Sequence, residues 1–345
     1  MIKKILIFGL LLLLLVLGSL YMINKKINSE NSIEQEKSGL VLNTLSAENS
    51  DANFEQAFIN ENLFTNTSIK SIELDQVLGG GPGKDGIPSI DNPKFISVSD
   101  AQQIENSDHL GIVLQIGETT RFYSYSILVW HEIVNDEIEG QPVLVTFCPL
   151  CGSAIVFDPK VNKGYREFGV SGKLWESNLL MFDRVNESLW SQSKGEAVVG
   201  SDTGNKLGII PSQLITFGEF SEKYPDGQVL SRDTGHFRSY GFYPYGDYEN
   251  TEETIFPVSV QDNRLPSKEI MYAVNFEDKG IAFKRESLIE VGSAEIIVGG
   301  KKIVAKVSGS EITVTDESGN IIPGYHEMWF SWATHHQENG VVWVE

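Results

Sequence analysis

From Gly111 to the C-terminus the chain is cut into short runs of strand formers, and this pattern limits its fold more than any other feature. Ile112-Val113-Leu114-Gln115-Ile116, Val143-Leu144-Val145-Thr146-Phe147 and Ser153-Ala154-Ile155-Val156-Phe157 are flanked by Gly, Pro or Asp. β-Branched and aromatic side chains suit a pleated, half-buried surface, and the flanking residues turn the chain. Glu167–Val170, Leu179–Phe182, Ser188–Ser191 and Ala273–Phe276 extend the series. Helical periodicity is scarce, its best short stretches being Ile127 to Val134 and Pro211 to Tyr224. The expected architecture is mainly β, an α+β fold with few short helices. Eighteen Phe, 11 Tyr and 6 Trp among 41% hydrophobic residues supply a core for one large domain or two.

A weak internal repeat runs through this β region. Tyr123, Leu128, Ile138, Gly140 and Val143 recur in the same spacing as Phe283, Leu288, Val298, Gly300 and Ile303. Two copies at so long a period suggest a duplicated β unit, with halves at about 111–200 and 270–345, rather than a solenoid. The position matching Cys148 is Ser308, so thiol chemistry would sit on the first copy alone.

Residues 1–23 contain a nearly unbroken apolar run, Ile5 to Ile23, between Lys3-Lys4 and Lys25-Lys26. Its length suits a bilayer-spanning helix, and Gly18-Ser19-Leu20 is a poor cleavage site, so an uncleaved signal anchor is expected. Residues 24–66, rich in Asn, Ser, Glu and Gln, read as a flexible tether. Residues 67–345 would form a domain facing the periplasm or the cell exterior. A formal net charge of -20 repels nucleic acid, which is excluded as a partner.

The densest chemical signal is the turn Cys148-Pro149-Leu150-Cys151-Gly152. Cys-x-x-Cys brings two sulfurs within reach of one ion, and a glycine after the second Cys allows a positive φ. The same spacing serves redox pairs, but there a helix starts at the first Cys, whereas this turn lies between strand-like runs. A metal knuckle is therefore expected, holding copper, zinc or iron. Its further ligands are His131 as third and His336 as fourth, with His335 and His236 as alternatives. Glu132 and Asp136 are candidates for orienting the imidazole or for acid–base work. A dithiol/disulfide redox pair and a structural disulfide in a non-catalytic binding module stay open.

Other motifs are weaker. His131-Glu132 lacks the second histidine of a zinc-protease helix, Asn135 standing in its place. Gly83-Lys84 is followed by Asp85 where a phosphate loop needs Ser or Thr, so Gly79–Pro88 reads as a structural or site-lining loop. Gly169-Val170-Ser171-Gly172-Lys173 resembles a nucleophile elbow except for Lys173, which leaves Ser171 a weak catalytic candidate. Ser191-Gln192-Ser193-Lys194 has Ser-x-x-Lys spacing but runs into Gly195. The stretch Ser231–His236 with Tyr240, Tyr243, Tyr245 and Tyr248 either lines a pocket or staples a long loop to the core.

Several of these segments together resemble the domain-of-unknown-function family numbered 3179. The resemblance rests on Gly80–Asp91, Trp130–Asp136, Val145–Gly152, Phe168–Gly172, Glu187–Gln192, Leu230–Gly235 and the Trp-rich end Trp329–Trp332, and covers about residues 70–345. It implies that the Cys-Pro-Leu-Cys turn and the His-Glu pair are kept together as a site. It implies no activity, and Lys194 lies outside the family pattern.

Overall fold

The computed structural model describes residues 62–162 and 164–345. The predicted anchor and most of the predicted tether lie outside them. No helix among the described residues is long and apolar enough to cross a membrane. Leu63, within the segment read as tether, is buried with Leu74, Leu180 and Leu189, and the Phe64 amide donates to Glu187 Oε2 at 2.6 Å. Leu63 and the Phe64 amide thus pack against the domain.

The domain is mainly β with few short helices. Its first hairpin is β1 (Leu110–Ile116) and β2 (Thr119–Ser124), followed by helix α1 (Tyr125–Leu128). Strands β3 (Ile133–Ile138), β4 (Gln141–Cys148) and β5 (Ser153–Asp158) come next. The stretch read as helical from Ile127 thus stays helical only to Leu128 and becomes strand at Ile133, where both β-branched side chains of Ile133 and Val134 are buried. A meander of β6 (Phe168–Trp175), β7 (Asn178–Asp183), β8 (Leu189–Ser191) and β9 (Glu196–Val199) forms a separate sheet with the short strand Val77–Gly79.

Pro211–Tyr224 divides into strand β10 (Gln213–Thr216) and helix α2 (Phe217–Lys223). Thr216 and Glu219 cap this helix reciprocally, which stops the strand and starts the helix at one residue. Strand β11 (Gln228–Leu230) follows.

A second run of strands and helices follows. It comprises β12 (Ile270–Phe276), β13 (Lys279–Lys284), α3 (Arg285–Val291), β14 (Ser293–Val298), β15 (Lys301–Ser308) and β16 (Glu311–Thr315). It ends with β17 (Gly324–Met328), α4 (Trp329–His335) and β18 (Gly340–Trp343). The paired strands match in length and register: Gly111 faces Ser124 as Met271 faces Lys284, and Ile133 faces Thr146 as Ser293 faces Lys306. The β3–β4 turn, Glu139-Gly140, and the β14–β15 turn, Gly299-Gly300, both use positive φ at two residues, the type I′ geometry of tight hairpins.

The runs interlock. In the largest sheet the order β18-β13-β12-β17-β5-β4-β3 places four strands of the second run beside three of the first. The opposite seam, between β10 and β16, is closed by a side chain: Gln213 donates to and accepts from the Ile312 backbone, both at 2.9 Å. Phe157, Trp190, Trp329 and Trp332 are almost fully buried where the largest sheet packs on the β6–β9 meander, and Phe147 is buried in a second core beside β1 and α1. Each such ring stabilises the fold by roughly 1.5–3 kcal/mol relative to exposure.

Candidate functional site

The four residues 149–152 turn the chain from β4 to β5, with Cys148 paired to Ser153 across the hairpin. The Cys151 amide closes the turn on the Cys148 carbonyl at 3.1 Å. Gly152 takes a φ of 54°, and a Cβ there would press on Met328 at 3.0 Å, so glycine serves both conformation and packing. The Tyr248 hydroxyl donates to the Leu150 carbonyl at 2.8 Å, and the Met328 amide to the Cys151 carbonyl at 2.8 Å. The turn is thereby held from the Tyr-rich segment and from β17.

Both cysteines are free and buried, with sulfurs 3.3 Å apart. The Cys151 thiol donates to the Ser177 carbonyl at 3.1 Å. Glu176 and Ser177 form the β6–β7 turn with φ of 54° and 60°, a left-handed pair built without glycine, which is strained backbone. Burial, then the neighbouring Cys148 and Glu327, push the Cys151 thiol well above its ordinary range. Burial thus favours the protonated thiol, and a thiolate there would need a compensating charge.

Behind the turn lies a buried polar chain absent from the sequence expectations. Gln192 Nε2 donates to Thr146 Oγ1 at 3.0 Å, Gln192 Oε1 accepts from Ser153 Oγ at 2.6 Å and from Asn178 Nδ2 at 3.0 Å, and Asn178 Oδ1 accepts from the Ser193 amide at 3.0 Å. Ser193 and Ser331 both donate to Glu327 Oε1, at 2.7 and 2.6 Å. Glu327 Oε2 and the Tyr325 hydroxyl, on the same face of β17, are buried without a hydrogen-bond partner. Burial pushes the Glu327 carboxyl up to about 7. A Glu inside a strand gives no sequence signal of this, since Ser193 is 134 residues away and Ser331, four residues on, reaches it only because the strand turns into α4.

The structure brings Cys148 and Cys151 together but gives the histidines other partners. Pro88 O accepts from His131 Nδ1 at 2.7 Å, which leaves Nε2 as the acceptor of the Tyr240 hydroxyl at 2.8 Å. Neither nitrogen of His131 is then free for a metal. His336 stacks on Trp332 and contacts Asn339 Oδ1 at 3.2 Å. His335 donates from Nδ1 to the Ser331 carbonyl at 2.9 Å. His236 is exposed, its ring 5.7 Å from that of His131. Among the described residues no group of three or more His, Cys, Asp or Glu is arranged to hold a metal ion.

Asp136 accepts from Arg121 at both oxygens, from the Glu137 amide and from the Tyr123 hydroxyl, rather than orienting His131. Glu132 is buried at a φ of 58°, its carboxyl raised by burial to about 8. Ser171 donates to the Leu180 carbonyl and accepts from the Lys173 amide at 2.9 Å, so it fixes a bulge in β6. Lys84 pairs with Glu187 at 2.6 Å, and the glycine-rich loop runs along β6 through Gly80 N to Gly172 O at 2.8 Å.

Next to the cysteine turn is a cavity of about 500 Å³. Gly152, Phe147 and Met328 line it together with the stretch Tyr240 to Tyr243. The Tyr125 ring, stacked on Phe147 at 4.0 Å, and Leu110, Val129, Leu214 and Ile270 complete a largely apolar wall. The Tyr125 hydroxyl is buried there without a partner. Tyr240 thus both lines the cavity and anchors His131, so the Tyr-rich segment staples and lines at once.

A family model described as a protein of unknown function (DUF3179) matches residues 84–321. No curated protein and no solved structure matches the chain.

Proposed function

The chain belongs to the DUF3179 family of proteins of unknown function, and for this member we propose a binding role: the cavity beside the Cys148–Cys151 turn holds a small, largely apolar molecule. The observation that carries this reading is the cavity itself, about 500 Å³, lined mainly by apolar and aromatic side chains, part of the Tyr-rich segment among them. Such volume and lining are typical of small-molecule sites. The thiols are then the cavity's packed support. Calorimetry with decanol on the full-length chain, with Ile270→Trp as a blocked control, tests it. Saturable binding lost in the control supports the reading; no binding, or binding unaffected by the tryptophan, refutes it.

The 3.3 Å sulfur separation favours a second reading, a dithiol/disulfide pair. Thiol titration across a glutathione series gives its potential; one near the compartment's poise supports redox work, and one far below marks a structural bond. The expected metal at this turn would rest on two thiolates, an arrangement suited to soft copper. One equivalent of metal in the purified protein, lost in Cys148→Ser, would assign it.

The apolar run at residues 1–23 supports placing the domain outside the cytoplasm, held to a membrane. Protease sensitivity of the domain in intact cells tests that placement, and full protection would refute it. The matched lengths and registers of β1–β4 and β12–β15 support a duplication. Superposing residues 110–148 on 270–308 checks it: deviations beyond one strand spacing, about 4.8 Å, would sink the idea.

A further inference from the structure

The hairpin that joins β6 to β7 is closed by two residues, Glu176 and Ser177, between the paired Trp175 and Asn178. Both carry a left-handed φ, 54° and 60°, where a two-residue turn of this kind favours Asn-Gly. Side chains other than glycine resist that conformation, so the turn depends on what holds it from outside. Among the described residues two hydrogen bonds do so. The Cys151 thiol donates to the Ser177 carbonyl at 3.1 Å, and Glu176 Oε2 accepts from the Ser259 amide at 2.7 Å. The Ser177 hydroxyl, buried without a partner, adds nothing to the hold.

The first of these contacts exists only while Cys151 keeps its proton. Its sulfur also lies 3.3 Å from that of Cys148. The backbone around the two thiols is pinned, by the Tyr248 hydroxyl at the Leu150 carbonyl and by the Met328 amide at the Cys151 carbonyl. Joining the sulfurs therefore leaves the cysteine main chain in place and alters the side chain that reaches Ser177. A small-molecule disulfide such as oxidised glutathione balances the step. One protein thiol displaces a glutathione thiol to give a mixed disulfide, the second protein thiol displaces the other, and both protons leave on the two glutathione molecules released. A disulfide sulfur has no proton to donate. The carbonyl of Ser177, a residue only 1% exposed, then loses its donor.

Resting on the reading of Cys148 and Cys151 as a dithiol/disulfide pair, we infer that the pair is a redox switch on the Glu176–Ser177 turn. The reduced thiol locks the turn, and the disulfide releases it together with the segment at Ser259. Val258 and Val260, on either side of Ser259, line a cleft of about 770 Å³ with Glu252, Asp262 and Arg264, so the change reaches the wall of that cleft.

Hydrogen exchange of the full-length chain, equilibrated in reduced and in oxidised glutathione and read by mass spectrometry, tests the switch. On oxidation, exchange in peptides covering 174–178 and 256–262 should speed up about three- to tenfold, the loss of one hydrogen bond, while β4 stays unchanged. Cys151→Ala, which has no donor, should exchange fast in both buffers. Cys148→Ala, which keeps the donor and cannot form the bond, should stay slow in both. Intact mass shows which proteins carry a disulfide or a glutathione adduct. Three results overturn the switch and leave the disulfide reading standing: a wild type that oxidises with unchanged exchange, slow exchange in Cys151→Ala, or an adduct-free Cys148→Ala protein that speeds up. A pair that stays reduced across the whole series sinks both.

Discussion

Replacing Glu327 with Gln isolates the cost of ionising a carboxyl inside this core. The folded protein raises that carboxyl from 4.5 to about 7, with burial as the leading cause. Because the folded state holds the proton more tightly, this group's contribution is fully present below about pH 4.5 and is lost as pH rises through about 7. At roughly 1.4 kcal/mol per pH unit the loss comes to about 3 kcal/mol. Gln is neutral at every pH and its carbonyl still accepts from Ser193 and Ser331, the two donors to Oε1. At pH 4 the two proteins should agree within about 1 kcal/mol. At pH 8.5 Glu327→Gln should be more stable by about 3 kcal/mol. Urea denaturation at both pH values reads the difference, and other titrating groups cancel because the comparison is made at the same pH. An offset identical at pH 4 and pH 8.5, or a variant less stable at pH 8.5, would refute the argument that the carboxyl is held in a low-dielectric pocket.

Further perturbations probe the scaffold. Gln213→Ala removes both amide bonds that close the β10–β16 seam and should cost about 1–3 kcal/mol by chemical denaturation, whereas a neutral result would show that the strands hold without it. Gly172→Ala places a Cβ 2.1 Å from the Pro82 carbonyl at a φ of 74° and should cost about 3 kcal/mol or more, visible as a lowered Tm; wild-type stability would contradict the close approach. Burial lowers His131, His335 and His336 each to about 4 from 6.5. Their neutral forms therefore contribute stability above pH 6.5 that is lost as pH falls through about 4, and a stability profile flat from pH 7 to 4 would oppose this.

The strands were legible because their β-branched runs are short and interrupted: Ile112–Ile116 and Val143–Phe147 lie within β1 and β4. Helix α4 was not, since Trp329-Phe330-Ser331-Trp332 reads as strand former by composition and is helical through its packing in the core. At the site, local spacing placed both cysteines in one turn, where their sulfurs lie 3.3 Å apart. Long-range partners stayed hidden. Pro88 and Tyr240 reach His131 from far along the chain in both directions, and Glu327, which the sequence did not single out, acts on Cys151 from β17. Hydrogen bonds between distant segments leave no periodicity to read.

The most direct test of the binding role is thermal unfolding of the wild type and of the Cys148→Ser/Cys151→Ser double variant, each with decanol at about 100 times its Kd. The account predicts that decanol stabilises both proteins by about 2.7 kcal/mol at that excess, because the cavity and not the thiols makes the contacts. No ligand-dependent shift in the wild type, or a shift that vanishes with the thiols along with one equivalent of bound metal, would contradict it.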